Sequence, residues 1–394
     1  MDKFLYRQLA KAAGVGPVIP GQEVTLKVDL ALAHDGSGPA LLENWARQER
    51  KQFVCRDVLF TIDNAFPAPT VQDREFQKAF RKFCQKYSIR LYQNGEGVLH
   101  QVVAEEKPIW PGMLIIGADG HVATAGAFGA LAFSVDARNL IPVLENGQYV
   151  LRIPEQITIA VEGILPQDVL PRDVALAIAG KFAQEIKDKA VALTGSLFDR
   201  LSLAGKMSIC NFLPEAGTKT AFILPEGEKD QVDYYLQAAD LEPLIAVPPA
   251  PNFIKTVKEV EGTKISVAIA GGCSAGRVED MKVLSDVLRG RKVHPEITFI
   301  VTPASQKVLT EMENLGFTQV LREAGAVLMP PGCGPCPGRH FGLLADDDVA
   351  ITTTIRNTPG RIGSAKAQIY LASPLTVALA ALNGEITTVK KSRS

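Results

Sequence analysis

Cysteine is scarce in this chain, six among 394 residues, too few and too scattered for the disulfide framework of a small secreted protein. Net charge is nearly absent too: 42 Lys plus Arg stand against 43 Asp plus Glu. No overall field therefore exists to hold nucleic acid or an anionic membrane, and neither partner is expected. No apolar run approaches the roughly 18 residues that cross a bilayer. The opening, MDKFLYRQLAKAAG, has none of the long apolar core of a secretion signal, so a reducing cytoplasm is the expected setting. What is present is 46% hydrophobic and 22% charged residues, the composition of a globular protein with large cores. At roughly 100–200 residues per domain, the length calls for more than one.

The pattern along the chain predicts α/β architecture. Residues 58–64 (VLFTIDN) form a β-rich run, and Thr70 then caps a helix whose Phe76, Phe80, Phe83 and Tyr87 recur at helical spacing. Met113 to Gly117 enters a loop, Ala118-Asp119-Gly120-His121, placed where polar groups gather at the carboxyl end of a strand. Residues 150–172 predict an alternating strand, a turn and a helix start, and a further helix lies near 173–190. Residues 241–254, Pro-rich and almost uncharged, read as an interdomain connection. Beyond it ISVAIAGG, ITFIVTP and VAITTTI read as buried strands alternating with helices at Val278–Leu288 and Gln306–Leu315. Three α/β domains follow: residues 1–152, 153–243 and 244–394.

The sharpest local feature is Gly332-Cys333-Gly334-Pro335-Cys336-Pro337-Gly338, two thiols three positions apart on what should be an exposed turn. Zinc pair, redox dithiol and two members of an iron–sulfur site all remain open for such a motif. There is no second C-x-x-C, and the motif sits late in a large chain, unlike a thioredoxin motif. Cys273, in Gly271-Gly272-Cys273-Ser274-Ala275-Gly276 between a strand and a helix, supplies a third thiol at a turn, which suits a cubane cluster with one iron free. Cys55, Cys84 and Cys210 lie in apolar patterns and read as buried fillers. His294 and His340 have no evident partner, although Arg339 and His340 adjoin the cysteine pair. Glu215 reads as a structural acid at a helix start, and the basic tail Lys390–Ser394 as a solvated end.

The order Gly-Gly-Cys-Ser, Cys-Gly-Pro-Cys, Thr353 to Arg361 (TTIRNTPGR) and Tyr370 to Pro374 (YLASP) resembles the aconitase superfamily. Within it the chain is similar to the large subunit of 3-isopropylmalate dehydratase. His34 to Pro39, Gly95 to Gln101, Pro111 to Met113, Gly126 to Ala130 and Cys210 to Gly217 agree. The resemblance runs from about residue 20 to 385. It implies three α/β domains with parallel and mixed sheets around a central site, lacking the family's fourth, swivelling domain. It implies a [4Fe-4S] cluster on Cys273, Cys333 and Cys336, and carboxylate binding by Arg356 and Arg361. His34 would lie near substrate or water, and His100 would pair with Asp119. The implied activity is a hydro-lyase acting on a small hydroxy di- or tricarboxylic acid, completed by a small subunit that carries the swivelling domain and its serine base.

The departures are as informative. The family's Asp-His dipeptide, whose His is assigned to acid catalysis, stands here as Asp63-Asn64, and Asn carries no titratable proton near neutrality. Asn64 is then left to substrate contact, with Asp63, His100, Asp119 and His121 as the remaining acid–base candidates. Asp-Ser-His-Thr has become Asp119-Gly120-His121-Val122. The Glu expected to pair with the loop His falls near Ala192. Ser274-Ala275 replaces Thr-Asn, and Ile355 replaces the Asn before Arg356. Two other readings follow: a dehydratase of another hydroxy acid in which His121, His100 or a substrate group supplies the acid, and a non-catalytic cluster-bearing sensor or scaffold.

Overall fold

The computed structural model describes residues 3–48, 52–55 and 57–389; the basic tail lies outside them. Near the amino end, a five-stranded parallel sheet runs in the order Leu91–Tyr92, Val58–Thr61, Leu30–His34, Leu114–Gly117, Leu131–Ser134. Leu30–His34 and Leu114–Gly117 are buried along their whole length, as expected of parallel strands covered on both faces. Helix Val71–Lys86 packs on this sheet. Thr70 Oγ1 accepts the Asp73 amide at 3.0 Å, capping the helix start. Phe80, fully buried, stacks on Phe60 with ring centroids 5.6 Å apart and touches Phe76 at 5.7 Å.

A second parallel sheet has the order Thr220–Ile223, Ala190–Thr194, Gln156–Glu162, Tyr234–Gln237. Gln156–Glu162 is buried almost throughout. The alternation expected over residues 150–172 fails because this strand lies inside the sheet, away from solvent on both faces. The following helix spans Pro171–Lys181, shorter than the sequence pattern suggested.

The third sheet has seven strands: Ile254–Thr256, Leu244–Ala246, Gln368–Ala372, Val349–Thr352, Val267–Gly271, Thr298–Thr302, Val327–Leu328. The last five are parallel, and the first two add antiparallel at one edge. The Pro-rich stretch at 241–254 is therefore more than a connection. Its two short strands flank a turn that holds the Pro248-Pro249 peptide bond in cis. Helices Val278–Leu288 and Gln306–Asn314 fall where their periodicity places them.

The apolar cores run on between the sheets. Ala190 and Ala192 of the second sheet pack with Phe4, Phe60 and Phe222, while Ile269, Ile300 and Ile355 join Ile159 and Phe212. Each functional segment leaves the carboxyl end of a parallel strand: His34 and Asp63-Asn64 and Asp119 from the first sheet, Cys273 and Arg356 from the third. Among the described residues, no helix is long and apolar enough to cross a membrane.

Because Phe80 is sealed between two rings, Phe80→Ala should destabilise this core by about 3–5 kcal/mol. The check is the denaturant transition followed by fluorescence of Trp45, which belongs to the same core.

Candidate active site

Between the two sets of strand ends lies a cavity of about 320 Å³. All eleven residues singled out above line it: His34, Asp63, Asn64, His100, Asp119, His121, Cys273, Cys333, Cys336, Arg356 and Arg361. Three of the five histidines of the chain meet here.

Asp119 is the hub. One carboxylate oxygen bonds His100 Nε2 at 2.6 Å and accepts the His121 backbone amide at 2.7 Å; the other lies 3.0 Å from His34 Nε2. Burial alone would raise its pKa, but the facing imidazoles outweigh that and hold the carboxyl well below the ordinary range. His34 feels the converse. Burial opposes its charged form, yet Asp119 and Asp63 together push the ring well above its ordinary value.

Beyond the hub, His121 Nε2 meets Glu215 Oε1 at 2.6 Å, and the Arg356 guanidinium grips both oxygens of Glu215 at 2.7 Å. Burial works against the Glu215 charge, but His121 and Arg356 bring its pKa down to about 2. Position 192 therefore does not stand for the missing partner. Ala192 is fully buried in an interior strand, and the carboxylate comes from Glu215, in the turn Leu213–Ala216 after helix Leu203–Phe212. Glu215 is a charge partner in the site, not merely an acid at a helix start. Gly120 makes the arrangement possible, since a Cβ there would lie 2.6 Å from Arg356 Nη2.

Asp35 clamps the neighbouring loop by accepting the backbone amides of Asp63, Asn64 and Ala65 at 3.0, 2.8 and 3.0 Å. Asp63 in turn accepts the Leu99 amide at 2.5 Å, holding the start of the helix that carries His100. Asn64 Nδ2 reaches His34 Nδ1 at 2.9 Å and Cys333 Sγ at 3.4 Å.

The C-x-x-C turn is not exposed; both thiols are half-buried and face the cavity. Its glycines pack against the Asp63 and Arg361 backbones, which pulls the turn inward. Each of the three thiols has one nitrogen donor. Asn64 serves Cys333, Asn211 Nδ2 serves Cys273 at 3.4 Å, and Arg361 Nη2 lies 3.9 Å from Cys336. Without a positive group bonded to it, a buried thiol resists ionisation: burial, with Cys336 adding to it, pushes Cys273 up to about 12. The three sulfurs are not all within 4.8 Å of one another, whereas thiolates on one tetrahedral zinc sit about 3.8 Å apart. The N–H···S donors suit sulfurs that carry negative charge. Two other trios, His100, Asp119, His121 and His34, Asp35, Asp63, do bring ligand-type atoms within 4.8 Å, but these atoms are bonded to one another and to nearby backbone amides.

Of the flanking residues, Arg339 lines the cavity and pairs with Asp73 at 2.8 Å, while His340 bonds the Phe66 carbonyl and so has a structural partner. His294 Nδ1 accepts the Glu296 amide at 3.4 Å, away from the site. Cys55, Cys84 and Cys210 are buried. Sequence reasoning overlooked Asn211, Asp35 and the roles of Glu215. Their signal was present only in the segments 34–39 and 210–217 as wholes.

The geometry defines a class: an α/β protein that gathers thiols, imidazoles and guanidiniums around an anion-sized cavity at the ends of parallel strands. Comparison makes it specific. The profile of the Aconitase family (aconitate hydratase) matches residues 7–245 and 248–384. A 3-isopropylmalate dehydratase large subunit 2 of Methanopyrus kandleri is 35% identical, covering 98% of each chain. A probable methanogen homoaconitase large subunit of Methanothermobacter thermautotrophicus is 35% identical, covering 96% of this chain and 95% of that one. A 3-isopropylmalate dehydratase large subunit 2 of Pyrococcus furiosus is 38% identical over 93% and 95%. In fold alone, the crystal structure of Thermococcus kodakaraensis aconitase X (holo-form) superposes with a TM-score of 0.54 at 13% identity, over 84% of this chain and 83% of that one. The chain belongs to the aconitase family.

Two outcomes test this geometry. Glu215 contributes stability that is present above its ordinary pKa of 4.5 and lost as pH falls toward about 2. Glu215→Gln should therefore remove up to about 3 kcal/mol at neutral pH and flatten the acid limb of the unfolding free energy below pH 4.5. Gly271 has φ +118°, and a Cβ there would meet the Thr302 carbonyl at 1.9 Å. Gly271→Ala should displace the Cys273 loop, seen as faster alkylation of Cys273 in mass-spectrometric footprinting.

Proposed function

We propose that this chain is the cluster-bearing large subunit of a hydro-lyase that acts on a small hydroxy di- or tricarboxylic acid, of the 3-isopropylmalate dehydratase type. The observation that carries the reading is the convergence of three donor-supported thiols with Arg356, Arg361 and the Asp119 network on one cavity. Cys273, Cys333 and Cys336 would hold a [4Fe-4S] cluster, which when bound offers an open iron as Lewis acid toward hydroxyl and carboxylate oxygens. Arg356 and Arg361 bind and orient substrate carboxylates. Asp119 keeps His100, His121 and His34 in fixed orientations, so that a proton can be held at a defined ring nitrogen beside the substrate. The relatives are named large subunits, which supports a small subunit as partner and source of the remaining catalytic group. The three sheets support division of the chain at 1–152, 153–243 and 244–394.

One observation favours a changed reaction or a non-catalytic sensor. Asn64, where the family's acid would stand, spends its amide on Cys333 and His34. Retained Arg356 and Arg361 argue for an enzyme, because a sensor has no use for a carboxylate clamp.

Anaerobic purification followed by iron and sulfide analysis should give about four irons per chain, and Cys336→Ser should abolish the visible absorbance. One tightly bound zinc instead would overturn the reading. With the small subunit added, Asn64→His should raise hydration of unsaturated diacids by about 10²–10⁴-fold, the worth of one acid–base group. A full cluster with no activity in either form would leave the sensor.

A further inference from the structure

Two guanidiniums lie beneath the Cys273 loop without a salt bridge among the described residues. Arg172 and Arg277 are 1% and 4% exposed, and among the described residues neither has a carboxylate within salt-bridge distance. Arg172 Nε, Arg172 Nη1 and Arg277 Nε have no hydrogen-bond partner. Burial of a charge without a salt-bridge partner is normally penalised. Asp280 is the acid that most favours the charged form of both, from beyond salt-bridge distance. Asp173 and Asp280 are buried deeply enough that desolvation pushes their pKa values up to about 7 and about 6, and both carboxylates are engaged by backbone amides.

Both cations are instead built into the support of one cysteine. Arg277 Nη2 donates to the Cys273 carbonyl at 2.7 Å and Nη1 to that of Ser274 at 3.4 Å. Arg172 Nη2 donates to the Thr353 carbonyl at 2.8 Å, which also accepts Ser274 Oγ at 2.7 Å. The Arg172 guanidinium lies over the Phe212 ring at 4.9 Å, next in sequence to Asn211, the donor to Cys273 Sγ. Negative charge on the loop's cavity side, where Cys273 is, would add to the counter-charge that Asp280 gives both guanidiniums.

We propose that Arg172 and Arg277 are positioning residues that form a buried cationic base for the Cys273 corner of the cluster, favouring its more negative, reduced state and its retention. This rests on the cluster reading above. In a low-dielectric interior, one fixed charge near a redox group biases its equilibrium by about tenfold or more.

The test is an EPR-monitored redox titration of the anaerobically loaded protein, with iron content measured alongside. Arg172→Met and Arg277→Met should each shift the one-electron reduction equilibrium by about tenfold toward the oxidised cluster, or lose iron during purification while the apo-protein melts cooperatively. Arg172→Lys and Arg277→Lys, which keep the charge, should restore most of the effect. A Met variant with full iron and an unchanged midpoint overturns the proposal, as do Lys variants displaced as far as the Met ones. Wild-type protein without iron and sulfide would instead sink the cluster reading itself.

Discussion

An ionised, half-buried carboxylate set among three imidazoles organises this molecule. Asp119 has to be charged to bond His100, His34 and the His121 amide at once, and it stays charged only because those groups surround it. Contacts then continue from His121 to Glu215 and from Glu215 to Arg356. One chain of contacts thus ties together the first sheet, the turn after helix Leu203–Phe212 and the third sheet. The packed aliphatic cores on either side keep these donors and acceptors in register, because any shift of the sheets would strand a buried charge.

The same logic governs the thiols. Burial makes a thiol reluctant to ionise, so a set of three half-buried sulfurs is stable in a charged, ligating state only if something compensates them. The N–H groups of Asn64, Asn211 and Arg361 are placed to do so. Loop backbones held by glycine at positions such as Gly271, where any side chain would strike Thr302, fix where the sulfurs point.

Much of this was legible in the chain. Cys273, Cys333 and Cys336 stood out as thiols at turns, and the two arginines and the His100–Asp119 pair through the family resemblance; all of them line one cavity. Glu215 was missed for a physical reason. Its partners lie 94 and 141 residues away, and nothing in local spacing says which acid of an α/β chain a distant loop will meet. Ala192 looked like the lost position only because a linear correspondence ignores that its strand is sealed on both faces. The alternation expected near residue 156 failed likewise, since periodicity reports exposure and this strand has none. The Pro-rich segment at 241–254 also reaches into two short strands, Leu244–Ala246 and Ile254–Thr256, with its prolines at 243, 248, 249 and 251 outside them.

Gly120 carries a consequence for recognition. By leaving room for Arg356 to lie on Glu215, it seats an internal carboxylate on one of the two guanidiniums that, on the proposed function, receive substrate. An incoming acid meets Arg356 as a rival to a bidentate occupant. A single carboxyl group gains little from that exchange, whereas a molecule that also reaches Arg361 can offset it with a second contact. On the proposed function, discrimination between mono- and polycarboxylates would come from competition inside the protein, with chain length between the two acid groups as the property measured.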